Sequence, residues 1–576
     1  MPHRSISTSK TPTVWLWTFA HYPRSTVKPS LFPDPSHKTV LFRQRYHIVH
    51  QRILRNETFQ APTFSTTRSA TLIRAGSIAA AQANTITPIA NLLGRTGSTH
   101  LLLGSLTVSP TGALSLADLS GTIALDIQHA RPIPETGAYF APGMIVLVEG
   151  SYEEDAGTSA STLGGTGGIG GTIGGKFIGF SVGHPPCERR TTTLGGTEEL
   201  DKSAVHGPAF GWTDFLGVGS QRATGARMNK IASKVLDVEE AHNIVLASEV
   251  HLDVPSTLSA LRTLLRTHNP DPASTNPIYP LAIILMGNFS SKASLTGVPG
   301  AGSIEYKEHF DALASVLSEF QHLIAHTTLV FVPGDNDAWP SAFLAGAATP
   351  LPRKPVPPIF TNRIRRVVAE ANREIWGAGK AKGKEGEVIW TSNPTRLSWF
   401  GVKGEMAIVR DDLAGRLQRT SIRFNKPDEP DADDEMPFAP AEQGNDESQD
   451  QDQDQDNMDI DLHAPPQPKQ LEIDRDVQTA RALTRTILSQ SHLSPFPLSA
   501  RPLHWDYAHT LNLYPLPTSL VLADNEAPPF VVKYCGCTVM NPGGLDESGG
   551  RGRREGRARW VEYDIRSGVG VVRFEG

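Results

Sequence analysis

AHNIVLASEVHL (241–252), LAIILMGNFSS (281–291) and TLVFVPGDNDAW (328–339) share one texture, an unbroken apolar run that stops at polar, turn-forming residues. PSTLSALRTLLRT (255–267) and HFDALASVLSEFQHLIA (309–325) lie between them with helical spacing. Continuous apolar strands alternating with helices predict a layered α/β sheet covered on both faces. EVIWTSNPTRLSWFGV (387–402) and GEMAIVRDDL (404–413) add an antiparallel pair. The pattern resumes with DVQTARALTRTILSQSHLSPFP (476–497), SLVLADN (519–525), VVKYCGCTVMNPGG (531–544) and a last hairpin, RWVEYDIRSGVGVVRFEG (559–576). Neither half is complete alone, so strands from both sides of the interruption must share a sheet.

Upstream, HLLLGSLTV (100–108), ALSLADLSGTIALDI (113–127) and MIVLVEGSYEE (144–154) are short strands at barrel spacing. The Gly-rich GTSASTLGGTGGIGGTIGG (157–175) reads as an inserted loop before KFIGFSV (176–182). It lacks the strand–loop–helix context and following Lys-Ser/Thr of a phosphate cradle. The expected organisation is a basic disordered tail (1–40), an arm and linker (41–88), a β-barrel (89–190), an α/β domain in two parts (191–426 and 469–576) and a disordered acidic insert (427–468).

The 576 residues carry a net charge of −6, unevenly spread. Residues 427–461 hold 15 acidic and no basic side chains, whereas residues 1–75 hold 11 Lys/Arg against two Asp/Glu. The body is close to neutral, which argues against a protein whose main task is gripping a phosphate backbone. The first 40 residues are Ser/Thr/Pro/Arg-rich, but their prolines and lack of amphipathic period speak against a transit peptide. No run approaches the ~18 apolar residues of a membrane helix. Three cysteines cannot form a disulfide framework and fit a reducing compartment. Cys535-Gly536-Cys537 lacks a second ligand pair for zinc, so both cysteines are expected on a strand.

In α/β folds, sites form just past the strand ends. Those positions hold Ser248-Glu249-Val250-His251, Gly287-Asn288-Phe289-Ser290-Ser291, Gly334-Asp335-Asn336-Asp337, Ser491-His492 and Asp524-Asn525-Glu526. Their order resembles the calcineurin-like metallophosphoesterases, which place D-x-H, G-D-x-x-D, G-N-H, a lone His and G-H-x-H at successive strand ends around two metals. Set against that pattern, Glu249 stands for the first aspartate and His251 is kept. Asn288 replaces the bridging aspartate and Ser291 the last. Asp335 and Asn336 stand where Asn and His would be, His492 keeps the lone-histidine position, and Asp524 and Glu526 replace both final histidines. A neutral Asn cannot offset the repulsion of two dications. These are expected to be degenerate metal-site positions with no catalytic residue, metal or cofactor. His251 then reads as a buried, hydrogen-bonded remnant, and Asp335, Asp337 and Asp524 as turn residues serving local backbone groups. Single-metal binding by Glu249, His251, Asp524 and Glu526 is the alternative.

A barrel followed by such a domain resembles the B-subunits of the replicative DNA polymerases alpha, delta and epsilon. RYHIVHQRILRNETF (45–59), SLTVSPTGALSLADLSGTIALDI (105–127), VLVEGSYEE (146–154), SEVHLD (248–253), ILMGNFSS (284–291), FVPGDNDAWP (331–340), TSNPTRL (391–397), ILSQSHLSP (487–495), LYPLPTSLVLADNEAPPF (513–530) and CGCTVMNPGG (535–544) carry the resemblance. GNFSS, LSQSHLSP and the RYHIVHQR arm favour the epsilon branch. The resemblance implies an OB-fold packed on an inactive phosphoesterase-like sandwich in a nuclear, non-enzymatic scaffold for DNA replication. Its implied partners are the zinc-bearing C-terminal region of the epsilon catalytic subunit, the replicative helicase through GINS, the small histone-fold polymerase subunits, and DNA only indirectly, with no membrane. The family's usual N-terminal helical domain is not evident in residues 1–40. Residues 100–150 carry only Tyr139 and Phe140 as aromatics and few Lys/Arg, so the barrel reads as protein-binding rather than as a single-strand binder. The alternatives are a B-subunit of polymerase delta or alpha, or a phosphoesterase with a reduced site.

Overall fold

The structure is a computed structural model that describes residues 5–6, 14–17, 30, 32–60, 84–109, 112–135, 137–154, 172–194, 242–271, 274, 277–296, 298–338, 349–377, 385–399, 404–424, 475–547 and 557–575. The acidic insert lies outside these residues, as does most of the Gly-rich loop.

The chain opens with two short strands, β1 (Ser5–Ile6) and β2 (Val14–Trp17), and the helix Ser36–Leu54. Strands within the first 40 residues depart from the expected disordered tail; the Val-Trp-Leu-Trp run of β2 is β-favouring and pairs with a sheet edge. Six strands follow: β3 (Thr99–Val108), β4 (Leu114–Ala117), β5 (Thr122–Asp126), β6 (Arg131–Ile133), β7 (Ile145–Glu153) and β8 (Thr172–Gly183). They run in the order β5-β4-β3-β7-β8-β6, and β5 pairs with β8 to close a five-stranded barrel. Closure removes the exposed edges an open sheet would leave. β8 begins at Thr172, so the end of the expected loop is already strand.

The remaining strands are β9 (Asn243–Ala247), β10 (Ala282–Met286), β11 (Thr328–Val332), β12 (Val388–Trp390), β13 (Thr395–Trp399), β14 (Gly404–Arg410), β15 (Ser519–Ala523), β16 (Phe530–Tyr534), β17 (Cys537–Asn541), β18 (Ala558–Asp564) and β19 (Val569–Glu575). They build two sheets rather than one. The first runs β12-β11-β10-β9-β18-β19, with β9 to β12 parallel; the second runs β1-β2-β13-β14-β15-β17-β16. The run 387–402 therefore splits: β12 joins the first sheet, and the antiparallel pair is β13 with β14. β14 pairs in parallel with β15, which joins the chain before the acidic insert to the chain after it.

The sheets face each other across Leu246, Ile284, Val332, Trp399, Ile408, Val521 and Tyr563. Helices Pro255–Thr267, Ser303–Ser318 and Pro358–Trp376 cover the outer face of the first sheet, with Phe310, Phe331 and Trp390 at the centre. Helices Leu413–Thr420 and Arg475–Gln490 cover the second, and their core continues into that of the barrel. Burial on both faces explains why β9, β10 and β15 read as continuous apolar runs. Gln490 fastens the barrel by accepting from Ile145 N at 2.9 Å and donating to Ile145 O at 2.7 Å. Cys535 and Gly536 form the two-residue turn between β16 and β17 with φ of +48° and +79°, so only Cys537 lies on a strand.

Candidate functional site

The loops after β9, β10 and β11 converge because neighbouring parallel strands end on the same side of a sheet, and the end of β14, in the facing sheet, meets them. Most of the expected positions meet there. Asn288 donates to Glu249 Oε2 at 3.2 Å, and its own carbonyl accepts from Asn336 N at 2.9 Å. Asn336 donates to the carbonyls of Ser290 and Ser291. Ser291 N donates to Asp253 at 2.9 Å. His251 lies 3.1 Å from Glu249 Oε2 and stays partly exposed, not buried as expected. The loops approach so closely that a Cβ on Gly287 would strike Asp337 and Gly334, and one on Gly334 would strike Asn288.

The centre of this cluster is filled by guanidinium groups. Arg410, at the end of β14, donates from Nε to Glu249 Oε1 at 2.6 Å and from Nη1 to Asp412 at 3.1 Å. Arg501 grips Asp335 with two hydrogen bonds of 2.7 and 3.1 Å, and its Nε stands 3.4 Å from Asp411. Arg416 donates to Asp411 at 3.0 Å and lies 3.8 Å from Asp335. Arg353 donates to the backbone oxygens of Gly334 and Asp337 and lies 3.8 Å from Asp335. Arg501 and Asp411 are fully buried.

The charges respond accordingly. Burial pushes the Glu249 carboxyl up, but Arg410 and His251 outweigh it and hold the group at about 2. Asp335 is likewise lowered, burial being overcome first by Arg501. Asp337 accepts from Phe289 N, Gly334 N and the Tyr306 hydroxyl, yet burial raises it to about 6. Asp411 is raised by burial despite Arg501.

Three expected positions, Asp524, Glu526 and His492, lie outside this network of arginine pairs. Asp524 accepts from Ala414 N at the start of helix Leu413–Thr420 at 2.6 Å, and from Glu526 N and Ala527 N. Burial, with Asp412 nearby, raises it to about 7. Glu526 is exposed and pairs with Arg419 at 3.2 Å. His492 is buried elsewhere, under the influence of Arg45 on helix Ser36–Leu54. Asp337 and Asp524 do serve local backbone groups, as expected, whereas Asp335 is held by a side chain 166 residues away. Among the described residues, no group of three or more His, Cys, Asp or Glu is placed to hold a metal ion.

Arg353, Arg410, Arg416, Arg501 and Asp411 escaped sequence reasoning as site residues. Arg410 and Asp411 were findable, since they follow the AIV run of β14 as the other polar sets follow their strands. Arg353 and Arg501 sit in Pro-flanked loops without any pattern. A guanidinium neutralises carboxylates but, unlike a bound metal ion, does not coordinate a water and lower its pKa.

Comparisons with known proteins agree with this architecture. The family of DNA polymerase alpha/epsilon B-subunits matches residues 244–532, and the OB-fold domain of the DNA polymerase epsilon subunit 2-like family matches residues 35–186. The DNA polymerase epsilon B-subunit of Saccharomyces cerevisiae is 33% identical over 545 residues, 92% of this chain and 68% of that one. The Schizosaccharomyces pombe protein of the same name is 32% identical, covering 90% of this chain and 69% of its own. The human DNA polymerase epsilon subunit 2 is 26% identical, covering 90% and 74%. The chain belongs to the DNA polymerase alpha/epsilon B-subunit family, on its epsilon branch, and its barrel is an OB-fold. It spans about two thirds of the length of these fungal relatives.

Proposed function

We propose that this chain is a non-catalytic scaffold of the DNA polymerase epsilon complex in the nucleus. It holds the C-terminal region of the catalytic subunit and links the enzyme to the replicative helicase through GINS, alongside the small histone-fold subunits. Family membership supports the polymerase assignment, and relatives named for epsilon favour that complex over delta or alpha. The observation that supports the non-enzymatic reading is the pairing of Arg410 with Glu249 and of Arg501 with Asp335, two of the positions read as replaced metal ligands. On this reading the two-sheet sandwich is a phosphoesterase-like domain kept as a rigid interface. An OB-fold packed against it offers the contiguous surface that a permanent complex of 2,000 Å² or more requires.

A pull-down with the tagged full chain from nuclear extract, read by mass spectrometry, tests the reading. The expected result is co-purification of a large polymerase subunit; recovery of no polymerase subunit overturns it. Hydrolysis of p-nitrophenyl phosphate with added manganese is expected to stay at background. Metal-dependent turnover abolished by His251→Ala would establish the reduced-site enzyme instead.

A further inference from the structure

Two of the three cysteines meet where the barrel joins the α/β body. Cys187 follows β8, in the segment that leaves the barrel, and its thiol donates to Leu488 O near the end of helix Arg475–Gln490 at 3.6 Å. Arg52 fastens the same two segments, donating to Pro185 O at 3.3 Å and to Ser489 O at 2.5 Å. Cys535 lies in the turn of the β16–β17 hairpin, in the sheet that this helix covers. Its neighbour Tyr534 has the Arg485 guanidinium 5.8 Å from the ring centre, and Arg485 lies one helical turn before Leu488. The barrel's exit segment and the hairpin turn therefore approach the same stretch of one helix, and there the Cys187 and Cys535 thiols hydrogen-bond to each other.

The turn itself marks Cys535. At φ +48° it occupies a left-handed position that favours Asn, Asp or Gly, and a side chain held in such a conformation points to a role for that side chain. Both thiols are half-buried, so a small solute reaches them, whereas Cys537 is buried on β17. The two sulfurs differ in kind. The hydrogen bond from Cys187, followed by Tyr534, Arg189 and Arg52, outweighs burial and holds the Cys535 thiol down at about 7. The same hydrogen bond and burial push Cys187 up. Cys535 is thus the nucleophile and Cys187 the protonated partner beside it.

We propose that Cys187 and Cys535 are a peroxide-responsive thiol pair whose disulfide clamps the exit segment of the barrel to the second sheet. The Cys535 thiolate attacks one peroxide oxygen, the O–O bond breaks, and hydroxide leaves with the proton that Cys535 had released. Cys535 is then a sulfenic acid. The Cys187 sulfur attacks the Cys535 sulfur, the S–O bond breaks and the S–S bond forms, and the Cys187 proton leaves with the hydroxide as water. Two thiols lose two electrons, and one peroxide is reduced to two waters. In reducing surroundings the pair stays as thiols, and a dithiol reverses the link.

The test is treatment of the full, reduced chain with hydrogen peroxide, then alkylation, digestion without reductant and mass spectrometry. The expected result is a pair of peptides joined through Cys187 and Cys535 that dithiothreitol separates. In Cys187→Ser the link is lost and dimedone captures a sulfenic acid on Cys535. Cys537, whose thiol is raised by burial, should remain unlinked. Recovery of Cys187 and Cys535 as free thiols after excess peroxide, or a link to Cys537 instead, overturns the proposal. Oxidation should also raise the melting temperature of the native chain by several degrees, reversibly with dithiothreitol, because the bond closes a long loop of the unfolded chain. A disulfide that leaves the melting temperature unchanged overturns the clamp.

Discussion

Replacing Arg501 by Met keeps most of the side-chain volume and removes the charge that grips Asp335. In the folded chain Asp335 then keeps Arg353 and Arg416, each at 3.8 Å, and the influence of Arg410, and Asp411 loses its neighbour at 3.4 Å. Removing one partner of a buried ion pair typically costs about 3–5 kcal/mol, because the other charge stays desolvated. Against a net stability on the order of 5–15 kcal/mol that is a large fraction. At roughly 2–4 °C per kcal/mol for a domain of ordinary size, the melting temperature should fall by about 6–20 °C. The pH dependence separates this cause from simple misfit. In the native chain the Asp335 carboxyl is depressed, so its contribution is present above the unfolded carboxylate pKa and is lost as pH falls through the folded value. In Arg501→Met the same carboxyl is raised, and protonating it relieves the buried charge. The gap between native and variant should therefore narrow as pH falls through the carboxylate range. Urea denaturation followed by circular dichroism at several pH values measures this. A cost below about 1 kcal/mol, the size of an average substitution, or a gap independent of pH, would refute the view that these guanidinium groups hold the loops together.

Glu249 lies at about 2 in the fold against 4.5 ordinarily, so it should contribute about 3 kcal/mol above pH 4.5 and lose it progressively toward pH 2; Glu249→Gln should flatten that part of the acid-unfolding curve. Gly287→Ala forces a Cβ into Asp337 and the Gly334 backbone, and should cost about 1–3 kcal/mol or more by chemical denaturation. Phe331→Ala empties the ring stack with Trp390 under the first sheet and should cost about 3–5 kcal/mol in the same assay. Tyr306→Phe removes one of three donors to Asp337 and should cost about 1 kcal/mol, with the loss smallest below pH 6, where that carboxyl is protonated.

The sequence by itself determined the alternation of strands and helices, because burial on both faces demands continuous apolar runs such as IVLA at β9 and AIILM at β10. It also determined where polar loops would gather, since side chains past the ends of parallel strands share one edge of the layer. The closure of the barrel by β5 and β8, the division of 387–402 between two sheets, and the exclusion of His492 from the cluster were decided only by tertiary structure. Long-range pairing is set by packing between segments that carry no mark of their partner. The same holds for the charges. Glu249, Asn288 and Asp335 were legible as polar residues gathered past strand ends, but the cations of Glu249 and Asp335 come from Arg410 and Arg501, and a lone arginine reads as solvated surface until the fold surrounds it with carboxylates.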